Sequence, residues 1–190
     1  NKWTQAEKVK LFEKNMASYV GCSYAVFCSS GSTANSMIAM RLKDTSPKEK
    51  KIVVFPSTTW ITSVAPFIRE GFIPHFIDVN LNDLCFNYDD LERFVESNHD
   101  SIACVFPTSL LGFVPDIGRL RKICNANSVK LMFDNCENTL GQYEGDNICK
   151  FETCSTSTYF GHQIQSVEGG FVFTNDPVAV SYTHLRAHET

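Results

Sequence analysis

Lys51-Ile52-Val53-Val54-Phe55-Pro56 is the stretch on which the fold turns. Four apolar residues follow one another with no polar partner between them. A strand that alternates apolar and polar residues can face water on one side, but this one cannot. It must be covered on both faces, as strands of helix-flanked parallel sheets are. Pro56 lacks an N–H and stops the run. Working outward, similar strand signals occur at 24–28, 74–79, 102–106 and 129–133, then at 153–160 and 170–174. Helical periodicity fills the intervals at 32–42, 60–70, 88–97 and 116–127. Asn87 opens the third of these. A further helix is expected over 4–20, where Thr4 and Glu7 have capping-box spacing. Strands alternating with helices predict an α/β fold. Its architecture is three layers, α/β/α, around a mostly parallel central sheet.

Composition narrows the function. The chain has 190 residues, 43% of them hydrophobic and 20% charged, which is ordinary for a globular protein. Its formal net charge of −4 argues against a nucleic-acid groove or a patch for anionic membranes. No apolar run is long enough to span a bilayer, and no leader pattern is present, so a cytoplasmic location is expected. Eight cysteines occur without a C-x-x-C pair. Most are expected to be reduced, buried thiols that pack as small hydrophobes, with Cys136 the exception. Position 1 is not Met, which leaves the true start open. The stretch 180–190 breaks the preceding pattern and resembles a translated sequencing adapter, so it is set aside, together with His184 and His188. The domain is read as 1–179, cut short at its C-terminal side.

In open α/β sheets, ligands bind beyond the carboxyl ends of the strands. Four groups of polar or aromatic residues fall there. Ser29-Ser30-Gly31-Ser32-Thr33-Ala34-Asn35 leaves a strand and opens a helix, which suits a phosphate or simply an N-cap. Asp134 ends a strand and could hold a cationic ring nitrogen or cap a turn. Trp60 follows Pro56-Ser57-Thr58-Thr59 and could stack on a planar cofactor or join the core. His162 and Glu168 lie in a polar loop that closes with Gly169-Gly170. Histidine there could transfer protons or be a surface residue.

Taken in order, these residues identify a resemblance to the DegT/StrS family of pyridoxal-phosphate enzymes, the nucleotide-sugar aminotransferases of fold type I. The likeness runs from Phe12 to Asp176. It includes the Ser-Gly-Ser turn, Phe76-Ile77-Asp78-Val79, Leu111-Gly112, Phe133-Asp134, Leu140-Gly141, Ser157 and Glu168-Gly169-Gly170. The resemblance implies that Gly31, Ser32, Thr33 and Ser157 bind the cofactor phosphate. Trp60 would stack on the ring and Asp134 would pair with its nitrogen. Glu137 stands where the aminotransferases usually carry Gln. The family also implies a homodimer.

One departure sets the expected reaction. The family's Schiff-base lysine lies six residues before the Glu-Gly-Gly glutamate, and here that position is His162. Imidazole cannot form the covalent tether. What remains is pyridoxamine phosphate held non-covalently, with His162 as the acid/base. This exchange resembles the family's sugar 3-dehydratases, which act on CDP-4-keto-6-deoxyglucose or GDP-4-keto-6-deoxymannose. The CDP-sugar type implies a [2Fe–2S] cluster with one thiolate in an Asp-Asn-Cys run, matched here by Asp134-Asn135-Cys136, and a reductase partner. The GDP-sugar type needs no cluster. A conventional sugar aminotransferase and a non-catalytic relative are the alternatives.

Overall fold

The computed structural model describes residues 7–178 and 180. Thr4, and with it the expected capping box, lies outside the described residues, as do 181–190 with His184 and His188.

Among the described residues, five α-helices and ten strands follow in chain order: α1 Glu7–Val20, β1 Tyr24–Cys28, α2 Gly31–Thr45, β2 Ile52–Pro56, α3 Ile61–Arg69, β3 Ile73–Ile77, α4 Tyr88–Asn98, β4 Ile102–Val105, α5 Ile117–Ala126, β5 Lys130–Leu131, β6 Phe133–Asp134, β7 Gln142–Tyr143, β8 Asp146–Asn147, β9 Cys154–Ser157 and β10 Gly170–Thr174. The order β3-β2-β4-β5 is wholly parallel. The order β1-β10-β9-β6 is mixed, because β10 runs antiparallel to both neighbours. Met132 alone separates β5 from β6. Its N–H still donates to Val105 O at 3.2 Å, and the Asp134 N–H donates to Pro107 O at 2.9 Å. The two sheets are therefore continuous through this one bent strand. All the strands of this joined sheet but β10 point the same way, so their carboxyl ends share an edge.

The apolar run that opened the sequence is covered as its composition requires. Val53 and Phe55 face a cluster under α2 and α3 with Ile38, Leu42 and Phe67. Val54 faces the opposite cluster under α1, α4 and α5 with Val20, Leu91, Leu120 and Phe173. Burying one such side chain contributes about 1.5–3 kcal/mol. These two clusters are the cores between the three layers.

Three local readings differ from expectation. The strand expected over 129–133 begins at Lys130, breaks at Met132 and extends to Asp134. The strand expected over 153–160 is shorter, running from Cys154 to Ser157; the Thr158 N–H still reaches Gly169 O at 2.8 Å, where Gly169 has a positive φ of 146° and the loop begins. The small hairpin of β7 and β8 was not foreseen. Its turn residues Glu144 and Gly145 both have positive φ, at 51° and 85°, and a Glu-Gly pair is a weaker turn signal than Asn-Gly.

Gly170 is where strand and helix meet. A Cβ there would lie 2.6 Å from the carbonyl carbon and oxygen of Ser30 and 2.7 Å from Gly31 N. Backbone cannot give way as a flexible side chain would. Gly170→Ala is therefore expected to cost about 1–3 kcal/mol. The check is a lowered urea midpoint at unchanged slope in the full-length protein. An unchanged midpoint would show that the turn yields.

Candidate cofactor site

Asp134 lies at the carboxyl end of β6, 4% exposed, and is surrounded by donors. Its Oδ2 accepts from Asn35 Nδ2 at 2.8 Å and from Ser63 Oγ at 2.6 Å. Its Oδ1 accepts from the Cys136 N–H at 3.0 Å. Asn35 is itself aimed: its Oδ1 accepts from Ser155 Oγ at 2.6 Å, so its amide nitrogen must face the carboxylate. Asn35, Ser63 and Ser155 are all buried. A carboxylate has about four lone-pair sites, and three are filled here. The remaining one lies beside the Cys136 thiol, a weak donor that a protonated ring nitrogen would displace. Asn35 and Ser63 were not singled out from sequence. Only their places on α2 and α3 facing the sheet signalled them.

The helix-opening turn has the anatomy of an anion cradle. Ser30 is the N-cap of α2, and its Oγ accepts from the Thr33 N–H at 3.1 Å. The Ala34 N–H goes to Ser30 O at 3.0 Å. The first amides of a helix have no intrahelical partner, which leaves those of Gly31 and Ser32 to a ligand. The Thr33 hydroxyl is shared with Ser29 Oγ at 2.9 Å and Ser30 Oγ at 3.0 Å, so it serves the turn itself. Gly31 is held close to both neighbours of the cradle. A Cβ there would meet Cys136 Sγ at 2.6 Å and Ser157 Cβ at 2.9 Å. Ser157, at the end of β9, accepts the Tyr159 N–H on its Oγ at 3.2 Å. Gly31, Ser157 and the segment after Asp134 thus converge. A donor-rich anion pocket and a carboxylate beside it fit the two ends of a pyridoxamine phosphate.

Trp60 is the N-cap residue of α3 and 64% exposed, so it is not a core residue. The Glu137 carboxylate accepts the Leu111 N–H at 2.6 Å and so braces a turn in which Leu111 has φ of 54°. His162 is half-buried in the loop 158–169, which leaves β9 beside β6. Its N–H donates to Tyr159 O at 3.0 Å, and its ring stands edge-on to Tyr159 at 5.8 Å.

Lys150, the nearest upstream lysine, lies on the amino-terminal side of β9, away from this edge. Its Nζ is paired with Asp146 Oδ1 at 2.7 Å.

Cys136 follows Asp134 and Asn135 and lies beneath the cradle. Burial, and secondarily the Asp134 carboxylate, push its thiol well above the ordinary cysteine value. Its sulfur packs under Gly31. Among the described residues no group of three or more His, Cys, Asp or Glu could hold a metal. The expectation of a cluster therefore gains no support, and Cys136 serves as a packing residue beneath the cradle.

The sequence profile of the DegT/DnrJ/EryC1/StrS aminotransferase family matches residues 1–189. The chain belongs to this family. Among curated relatives it is similar to the GDP-4-keto-6-deoxy-D-mannose 3-dehydratase of Yersinia pseudotuberculosis. Identity is 33% over 180 residues, covering 93% of this chain and 45% of the relative. Among solved structures it is similar to the E. coli GDP-4-keto-6-deoxy-D-mannose-3-dehydratase with bound hydrated PLP. There the TM-score is 0.85 at 29% identity, over 93% of this chain and 46% of the other. A His-to-Asn variant of GDP-4-keto-6-deoxymannose-3-dehydratase with bound GDP-perosamine matches with a TM-score of 0.85 at 27% identity, over 92% and 45%. The chain thus spans about half the length of the relatives it matches. The α/β architecture of this DegT/StrS family member is that of these solved relatives. Among its described residues no helix is long and apolar enough to cross a membrane.

Proposed function

We propose that the full-length protein is a cytoplasmic nucleotide-sugar 3-dehydratase that uses pyridoxamine phosphate, acting on an NDP-4-keto-6-deoxyhexose. The observation that carries this reading is His162 in the seat of the family's lysine. It is supported by likeness to the 3-dehydratases and by the otherwise complete cofactor set. Residues 1–179 are then the cofactor-binding large domain, and 180–190 are adapter-derived. The protein acts as a homodimer. A reductase partner is not part of the proposal, because it was tied to the cluster.

The amides of Gly31 and Ser32, with Ser157, bind the phosphate. Asp134 keeps the ring nitrogen protonated, and Trp60 covers one ring face. Thr33 shapes the cradle, and Glu137 braces the wall beside it. When bound, the cofactor supplies an amine for the keto carbon and a ring that accepts electrons. With the cofactor and keto sugar bound, His162 would take a proton from the cofactor's 4′ carbon and give one to the departing hydroxyl, which would leave as water.

The test is reduction of the cofactor-loaded, full-length protein with borohydride, followed by intact mass measurement. The expected result is an unmodified polypeptide. A lysyl–cofactor adduct would overturn the reading in favour of an aminotransferase.

A further inference from the structure

We infer that Gln163 is the positioning residue for His162, bolting the histidine's loop to the segment that follows Asp134. Its catalytic consequence rests on the dehydratase reading, but the bolt itself does not.

The loop 158–169 is tied at its base. The Thr158 N–H donates to Gly169 O at 2.8 Å, the Ser166 N–H donates to Thr158 O at 2.9 Å, and the hydroxyls of Thr158 and Ser166 meet at 2.7 Å. These bonds hold the ends and leave the middle exposed, including Phe160, Gly161 and Gln165. The contacts of His162 with Tyr159 are internal to the loop and would travel with it. Two side chains next along the chain reach out of the loop. Ile164 packs on the core, and a non-directional contact fixes no register. Gln163 makes the directional contacts. Its Oε1 accepts the Leu140 N–H at 2.8 Å, and its Nε2 faces Asn138 Oδ1 at 3.4 Å.

The orientation of this amide is over-determined. Asn138 is 1% exposed and spends its NH₂ on Gly112 O at 2.9 Å and Phe113 O at 3.2 Å. Its oxygen must therefore face Gln163, which must answer with its own NH₂ and turn its oxygen to Leu140. Asn138 cannot swing away. Gly141 lies so close that a Cβ there would stand 2.7–2.8 Å from the Asn138 side-chain atoms. The Asn138 N–H also donates to Asn135 O at 3.0 Å, next to Asp134. The residue adjoining the acid/base is thus referenced, through two fixed partners, to the carboxylate that would hold the cofactor ring. Proton transfer needs heavy atoms about 2.6–3.2 Å apart, and an error of about 1 Å costs about a hundredfold in rate.

The experiment compares Gln163→Leu and Gln163→Glu with wild type in the full-length protein. Amide hydrogen exchange is followed without cofactor, and kcat and KM with it. Glutamate keeps an acceptor for the Leu140 N–H, and leucine does not. Gln163→Leu is expected to exchange about tenfold faster at Leu140 and across the His162 loop. Its kcat should fall by about 10- to 100-fold at a KM within about threefold of wild type. Gln163→Glu keeps the Leu140 acceptor but sets a carboxylate oxygen against Asn138 Oδ1, so protection at Leu140 and kcat should both fall between those of Gln163→Leu and wild type. Wild-type exchange in Gln163→Leu would overturn the bolt. Faster exchange with unchanged kcat would overturn the positioning role. If wild type shows no dehydration at all while Gln163→Leu still exchanges faster, the bolt stands and the reaction proposed above falls.

Discussion

His162→Asn in the full-length protein is expected to lower the dehydration rate by about 10² to 10⁴ while cofactor binding stays intact. Asn is close to imidazole in reach and can hydrogen-bond, but it carries no transferable proton near neutral pH. The loss is therefore the share that positioned acid/base groups ordinarily supply. The fold should be indifferent. The backbone N–H of residue 162 makes the bond to Tyr159 O, and the half-buried imidazole meets the Tyr159 ring edge-on rather than through a hydrogen bond. The measurement pairs single-turnover kinetics on the keto sugar with the absorbance of bound cofactor. Full activity in His162→Asn would remove the imidazole from the mechanism. Loss of cofactor absorbance would instead make it a binding residue.

Asp134→Asn carries the second large effect, on both stability and rate. The three donors around the carboxylate meet an acceptor at every approach today. An amide offers one oxygen, so at least one of Asn35 Nδ2, Ser63 Oγ or the Cys136 N–H would face another donor. Leaving a buried donor unpaired costs about 1–3 kcal/mol. The variant also loses the negative charge that would keep the ring nitrogen protonated, so activity should fall by at least about a hundredfold. Ser63→Ala separates the two effects. It removes one hydrogen bond, worth about 1 kcal/mol, but keeps the charge, so turnover should stay within about tenfold of wild type. Equal losses of activity in the two variants would mean that Asp134 acts through packing alone.

Much of this molecule could be read from its sequence, for identifiable reasons. Continuous apolar runs such as Ile52–Pro56 admit only a sheet covered on both sides, and the two cores are the result. Asp134, Trp60 and the Ser30–Gly31 turn were legible because strand ends in such sheets point to one edge. The break at Met132 was not legible, since Val129-Lys130-Leu131-Met132-Phe133 carries no mark of a bend between sheets. Neither were the partners of Asp134. Asn35 and Ser63 sit inside ordinary helical periodicity, and only the tertiary fold brings them to the carboxylate. Glu137 was noticed as a departure from a family pattern, but its bond to the Leu111 amide follows from a positive-φ turn that composition does not announce. Gln163 passed unremarked because its partners at 138 and 140 lie across a loop boundary.

The antiparallel strand β10 joins two parts of the described chain that lie far apart in sequence. Tyr24 pairs with Thr174 and Cys28 with Gly170, although nearly all the described residues are made between them. Gly170 is also the residue that lies against Ser30 and Gly31. During synthesis on the ribosome, α2 emerges early, yet its cradle lacks this wall until β10 has emerged and inserted between β1 and β9. Such distant closure is slow for a polypeptide, because chain entropy is spent before the contacts repay it. A nascent chain therefore completes this cradle only after the whole segment between β1 and β10 has been made.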